Sequence, residues 1–364
     1  MSSLGSHGPA SPARWWRHPL SPVSTSRALG HRLNLWRCSA LVAPRVRGPL
    51  LETLNLCECV QLVDRALPPL CTACPALRTL MIAGCESLSG ELGAPAPSLL
   101  GLPALQSGFG GPGLTMLDVS DIRLMNDELL SAVCAASPNL RRLDISRSGN
   151  LVQSPVVGGP QLTSLVSTRC QHLGDDAVSA ACDASPRLTS LMLALCGTLY
   201  SPRMHGALLS DVNLSGCAQL QDAAVSYLCG HSPLLSRLSL SLCPCLAEPL
   251  IHGACLKRVE LSHCEHLSAP TVHGPLVEYL NLSGCAALED AALEAACTHC
   301  PRLIKLSING CGRLVAARLI SPSLQTLNCQ QVAPAVVEGV TDRARLPALK
   351  RVVSEEPQTI EEVD

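Results

Sequence analysis

The 364-residue chain carries a formal net charge of −2 and only 2% aromatic residues, with Phe109 its single Phe. That balance argues against non-specific nucleic-acid binding, which needs dense Lys and Arg, and against base stacking on an aromatic platform. Hydrophobic residues reach 47%, yet no apolar run of 18 exists, so no transmembrane helix and no membrane partner are expected.

Residues 1–51 contain seven arginines and no acidic residue, a composition that resembles an organelle transit peptide. A strand-like Leu33-Asn-Leu35 with Cys38 already lies inside that stretch. Residues 1–32 are therefore read as a disordered Arg/Ser/Pro-rich leader, and the expected location is cytoplasmic or nuclear. The 21 cysteines fit a reducing compartment. Their number is odd, no signal peptide precedes them, and most recur at fixed places rather than in pairs.

From residue 33 to about 352 one phrase repeats every 21 to 26 residues: L-x-x-L-x-L-x-x-C-x-x-L. Leu77, Leu80, Ile82, Cys85 and Leu88 fill it, as do Leu303, Leu306, Ile308, Cys311 and Leu314. The cysteine column falls at residues 38, 59, 85, 122, 148, 170, 196, 217, 243, 264, 285, 311 and 332; Ile122, Ser148 and Val332 replace cysteine there. A fixed period of this length predicts a solenoid of about 13 units, each burying its apolar side against its neighbours. The fold class is α/β: a leucine-rich-repeat horseshoe with a parallel sheet on its concave face.

Long and short units largely alternate. Long ones carry helical patterns opened by aspartate, as in Asp176–Cys182, Asp222–Cys229 and Asp290–Cys297, and closed by Pro186, Pro233 and Pro301. Short ones pass through turn strings such as Ser201–Gly206 and Ala269–Gly274. The convex layer should thus alternate between short helices and extended turns. The interval between residues 85 and 122 is too short for two units. Residues 90–113, rich in Gly, Pro and Ala, read as an insertion, either a loop over the concave face or a tolerated spacer.

Two C-x-x-C pairs, Cys71/Cys74 and Cys297/Cys300, raise the question of zinc. A structural site needs four ligands at one centre, and these pairs occupy equivalent places in distant units. No metal and no cofactor is expected. His205, His252 and His273 form a column beside glycines, without a carboxylate at fixed spacing for acid–base work. No nucleophile elbow, zincin helix or phosphate loop occurs, so the chain is read as no enzyme.

The concave face is the candidate site. Alternation along each strand turns outward the residues between the leucines and before the cysteine. The partner-binding candidates on this face are Asp118, Asp121, Asp144, Arg147, Arg169, Met192, Leu195, Leu242, Glu260 and His263. Charges gather early, and Met192, Leu195 and Leu242 make an apolar spot mid-array, a pattern suited to a protein ligand. A monomer is expected.

The unit C-P-x-L-x-x-L-x-L-x-x-C-x-x-L, nearly literal at Cys74–Cys85 and Cys300–Cys311, resembles the cysteine-containing repeats of the F-box/leucine-rich-repeat family. Short units of the L-x-x-P-x-x-x-G-P-x-L type are most similar to its plant and algal branch, typified by F-box/leucine-rich-repeat protein fifteen. The resemblance covers about 320 residues and implies substrate recognition linked to an SCF-type ubiquitin ligase, with a Skp-type adaptor and cullin as partners. No segment here matches that family's F-box. Residues 353–364 form an acidic tail, and Ile360, Glu361, Glu362, Val363 and Asp364 resemble the EEVD tail of cytosolic heat-shock chaperones. That likeness implies the alternative of an adaptor docking tetratricopeptide co-chaperones; a general interaction scaffold is the plainer one.

Overall fold

The computed structural model describes residues 25–27, 30–88, 110–122, 127–148, 157–333, 336, 345–354 and 361–362. One sheet of 15 strands runs the length of the solenoid. Fourteen of them are parallel, from Arg32–Asn34 to Arg351–Val353. Each is only three residues long, and its central residue is the apolar one that faces the core: Leu54 pairs with Leu80, Leu191 with Val212, Leu280 with Leu306. Equivalent residues stay in register throughout, because a one-residue slip would turn a whole buried column to solvent. The leucines either side of each strand complete a continuous core between the sheet and the convex layer.

After each strand the chain turns sharply. The residue before the column position has a left-handed backbone in all thirteen units, with φ between 55° and 74°. Glycine occupies it at 84, 216, 284 and 310; elsewhere it is Arg37, Glu58, Asp121, Arg147, Arg169, Leu195, Leu242, His263 or Gln331. The column cysteine then points inward, and its thiol donates to a carbonyl of the preceding unit: Cys217 Sγ to Leu193 O at 3.2 Å, Cys285 Sγ to Leu261 O at 3.0 Å. Nine such bonds, at 3.0–3.2 Å, run through the solenoid. Cysteine suits this column because it is small enough for the stack and still offers a weak donor to a strand-end carbonyl of the unit before.

The convex layer alternates as the unit lengths predict. Among the described residues, five long units carry helices α1 (Leu67–Ala73), α2 (Asp127–Ala136), α3 (Asp175–Ala184), α4 (Asp222–His231) and α5 (Asp290–His299). Where two short units follow one another, their extended returns pair, Leu250–His252 with Thr271–His273.

Three details differ from the sequence reading. Helix α3 begins one residue earlier than Asp176, and it is Asp175 that matches Asp222 and Asp290. None of these aspartates caps its own helix. Each instead accepts two consecutive amides of the next unit: Asp175 from Tyr200 and Ser201, Asp222 from Ala247 and Glu248, Asp290 from Val315 and Ala316. Second, Thr25–Arg27, assigned to a disordered leader, is a strand paired in parallel with Arg45–Arg47; residues 1–24 and 28–29 lie outside the described residues. Third, Arg351–Val353 adds a strand past the last column residue, and Glu361–Glu362 pairs antiparallel on its outer edge. Of the insertion 90–113 only 110–113 is described. There it lines a convex cleft of about 320 Å³ together with Cys71 and Cys74.

Candidate functional site

Three lines of side chains make up the concave surface. The first strand residue forms one row, the third forms a second, and the left-handed residues form a rim at the C-terminal ends of the strands. The proposed partner-binding residues fall on two of these lines. Asp118, Asp144, Met192 and Glu260 sit in the second row, with Asp118 in register beside Asp144 and Val166 beside Met192. Asp121, Arg147, Arg169, Leu195, Leu242 and His263 all lie on the rim. Rim exposure comes from the left-handed turn rather than from strand alternation, a correction to the reasoning that picked them. Six strand spacings separate Asp118 from Glu260, or about 29 Å at ~4.8 Å each. These residues form a surface and not a pocket.

Several of them have structural duties. The Asp118 carboxylate accepts the Ser120 amide at 3.0 Å and the Ser120 hydroxyl at 2.7 Å, and Asp144 accepts the Ser146 amide at 3.0 Å. Asn55, Asn213 and Asn281 do the same in their units, so this position holds the turn that leaves the strand. Glu260 accepts from Arg258 Nε at 2.6 Å. Arg147 and Asp121 lie 4.0 Å apart with both side chains over half exposed, a pairing of small energetic weight.

The apolar rim residues have no such duty. Leu195 is 37% and Leu242 54% exposed, and they flank Gly216. Leu195 leans over that glycine: a Cβ there would fall 2.4 Å from Leu195 Cδ2. His263 covers Gly284 in the same way, 2.4 Å from Nδ1 to the position of such a Cβ. A left-handed residue thus lays its side chain on the next unit where that unit offers glycine.

The sequence reading passed over the first strand row. In its later units this row reads Asp211, Arg237, Arg258, Tyr279, Lys305, Thr326 and Arg351, each in register with the next. Arg237 pairs with Asp211 at 2.6 Å, and the Arg258 guanidinium lies 3.8 Å from the Tyr279 ring centroid. The same period-two alternation, extended one step ahead of the central leucine, identifies the row. Also unpicked was a rim cluster at the other end. Arg37 stacks on Trp36 at 4.4 Å and donates to Glu58, whose carboxyl it holds below the usual range. With Gly84, Glu86 and Asp121, Arg37 and Glu58 line a cleft of about 470 Å³.

On the convex side, His231 and His299 at the ends of α4 and α5 join the column of His205, His252 and His273. Gly206 N–H donates to His231 O, His252 is in register with His273, and the rings of His273 and His299 are 5.2 Å apart. Among the described residues no three His, Cys, Asp or Glu side chains come together as a metal site. Burial pushes the column thiols up, Cys217 to about 11 and Cys285 to about 12, so they stay protonated donors rather than ligands. Of the tail candidates, Glu361 and Glu362 lie in the edge strand; Ile360, Val363 and Asp364 lie outside the described residues.

No family model matches the chain, and no curated protein matches it. Among solved structures it is similar to one described as the Rad7 and Elc1 complex of yeast. That similarity has 16% identity and a TM-score of 0.42, and covers 90% of this chain and 77% of that one. A likeness of that size carries no argument; the repeat fold stands on the strand order and register described above.

Proposed function

We propose that this chain is a protein-recognition solenoid that presents its concave sheet and rim to another protein, and that it serves as the substrate-recognition arm of an SCF-type ubiquitin ligase. One observation carries the first part. Leu195 and Leu242 occupy a left-handed position that glycine fills at 216, 284 and 310, so the fold does not call for leucine there. Each costs about 1–2 kcal/mol of backbone strain while exposing apolar surface to water. Strain and exposure kept together point to a bound partner.

The ligase role rests on the resemblance of the cysteine repeats at Cys74–Cys85 and Cys300–Cys311 to the F-box/leucine-rich-repeat family. Affinity purification with an N-terminal tag tests it: enrichment of a Skp-type adaptor and a cullin is expected, and their absence sinks the ligase role. The recognition role has a separate test, a quantitative comparison of captured proteins between the wild type and L195G/L242G. Unchanged capture would sink that reading.

Docking of a tetratricopeptide co-chaperone by the Ile360–Asp364 string is the second reading. It requires Glu361 and Glu362 to leave the edge of Arg351–Val353, so a co-chaperone domain should raise amide exchange in that strand. No change on saturation would remove this reading.

A further inference from the structure

The later half of the concave sheet differs in chemistry from the earlier half. Arg237, Arg258, Lys305 and Arg351 stand in the first strand row, and Lys257 and Lys350 stand one residue ahead of it. Four acids lie among or beside these six cations: Asp211, Glu260, Glu278 and, in register with Arg351, Glu362. Asp211 takes one nitrogen of Arg237 and Glu260 takes Nε of Arg258, which leaves the other guanidinium donors of both free for a ligand. Lys257, Lys305 and Lys350 form no ion pair among the described residues.

We propose that this row, from Arg237 to Arg351, receives an extended acidic segment of a partner protein. The proposal rests on the recognition reading above and names the partner's chemistry. Tyr279 is central to it. Its ring lies under the Arg258 guanidinium at 3.8 Å and within 5.6 Å of Lys305 Nζ, so one aromatic face holds two like charges side by side. Cations gathered in that way repel one another until an anion arrives. The chain as a whole is at −2, which makes the positive field local to this surface.

Dimensions agree. Five strand spacings separate Arg237 from Arg351, about 24 Å, or roughly seven residues of extended chain. Glycine at 310 leaves the rim beside Lys305 without a side chain, while Leu242 and His263 stand on the rim of the earlier units. Moreover, the end of the row already receives an acidic strand, since Glu362 lies in register with Arg351. A nucleic acid fits less well: acids interleave with the cations, and Tyr279 is the row's single stacking platform.

The probe is a fluorescein-labelled octapeptide of alternating glutamate and valine, titrated into the full chain and followed by anisotropy. Saturable binding that weakens with salt is expected. R258E/K305E should lose about tenfold in affinity, with R258Q/K305Q between it and wild type. R78E/R141E, exposed one residue ahead of the first row in earlier units, should stay within about twofold. Circular dichroism and urea midpoints of all variants report whether the fold is intact. The proposal is overturned by any of four results: no saturation below about 1 mM peptide, equal binding of the glutamine–valine peptide, equal damage from R78E/R141E, or tighter binding of an eight-nucleotide RNA. If it falls while L195G/L242G still changes capture of cellular proteins, recognition stands and only the acidic partner is wrong. If that capture is also unchanged, both fail.

Discussion

Asp290, in the first turn of α5, holds Ala316 of the next unit by its backbone N–H at 3.0 Å, and its other carboxylate oxygen takes the neighbouring Val315 N–H at 3.1 Å. The same bridge runs from Asp175 to Ser201 and from Asp222 to Glu248. Asp64 and Asp127 stand at the equivalent place in their units. A residue suited by sequence to begin a helix is thus also a joint between repeats. Asp175→Ala should lower stability by about 1–2 kcal/mol, since two charge-assisted bonds are lost. Asp176→Ala, one residue along, should change it by under about 0.5 kcal/mol. Urea midpoints at constant slope measure both; equal effects would show that α3, rather than the bridge, is what each mutation disturbs.

Replacing a left-handed leucine separates fold from function. Leu242→Gly relieves about 1–2 kcal/mol of strain and costs about 0.5–1 kcal/mol through the unfolded chain. Stability should therefore stay within about 1 kcal/mol of wild type, while partner capture falls. A thermal midpoint lowered by more than about 4 °C would show that the half-exposed side chain belongs to the core.

Gly216→Ala works in the opposite sense. With φ at +74° and Leu195 Cδ2 2.4 Å from the new Cβ, the alanine is strained and displaces a flexible side chain end. The expected loss is about 1–2 kcal/mol, accompanied by a shift of the Leu195 methyl resonances. Unmoved methyls would contradict the packing described here.

Alkaline pH should weaken the fold. Burial raises the thiols of Cys59, Cys170, Cys217, Cys264 and Cys311 from 9.0 to about 11, and Cys85 and Cys285 to about 12. Above pH 9 the unfolded chain releases these protons while the folded chain keeps them, so unfolding releases protons and stability falls as pH rises. The thermal midpoint should drop between about pH 9 and 11, and less steeply when Cys217 and Cys285 are both alanine. Equal slopes would assign the loss to other groups. In the same conditions Cys245, which is exposed, should alkylate in the native state well before the column thiols.

Much of this architecture is legible in the sequence because each unit repeats one local solution. Leu303, Leu306, Ile308 and Cys311 announce a buried face by spacing alone, and the 21- and 26-residue intervals give away which units have room for a helix. Bonds between units are not written in any one unit. That Asp290 reaches Val315, or that Cys217 reaches Leu193 O, depends on how turns stack. The left-handed turn was equally hidden: glycine at 216, 284 and 310 signals it, but Leu195, Leu242 and Arg169 in the same column mask the signal. The row from Arg237 to Arg351 lies one step ahead of the central apolar residue, outside the stretch that the paired leucines frame.

Thiol and carboxylate contacts together give the stack a sense of direction. Cys217 reaches back to the unit before it, and Asp222, five residues later, reaches forward to the unit after. The natural module is then a helical unit with an extended partner. Forty-seven residues separate Cys170 from Cys217, Cys196 from Cys243, and Cys264 from Cys311. Gain or loss of one such pair would leave every remaining thiol and aspartate facing a matching neighbour, whereas excision of the single extended unit at Cys196 would set helix α3 against helix α4. The array can change its span in steps of that module, and with it the length of partner it can embrace, without redesign of any joint.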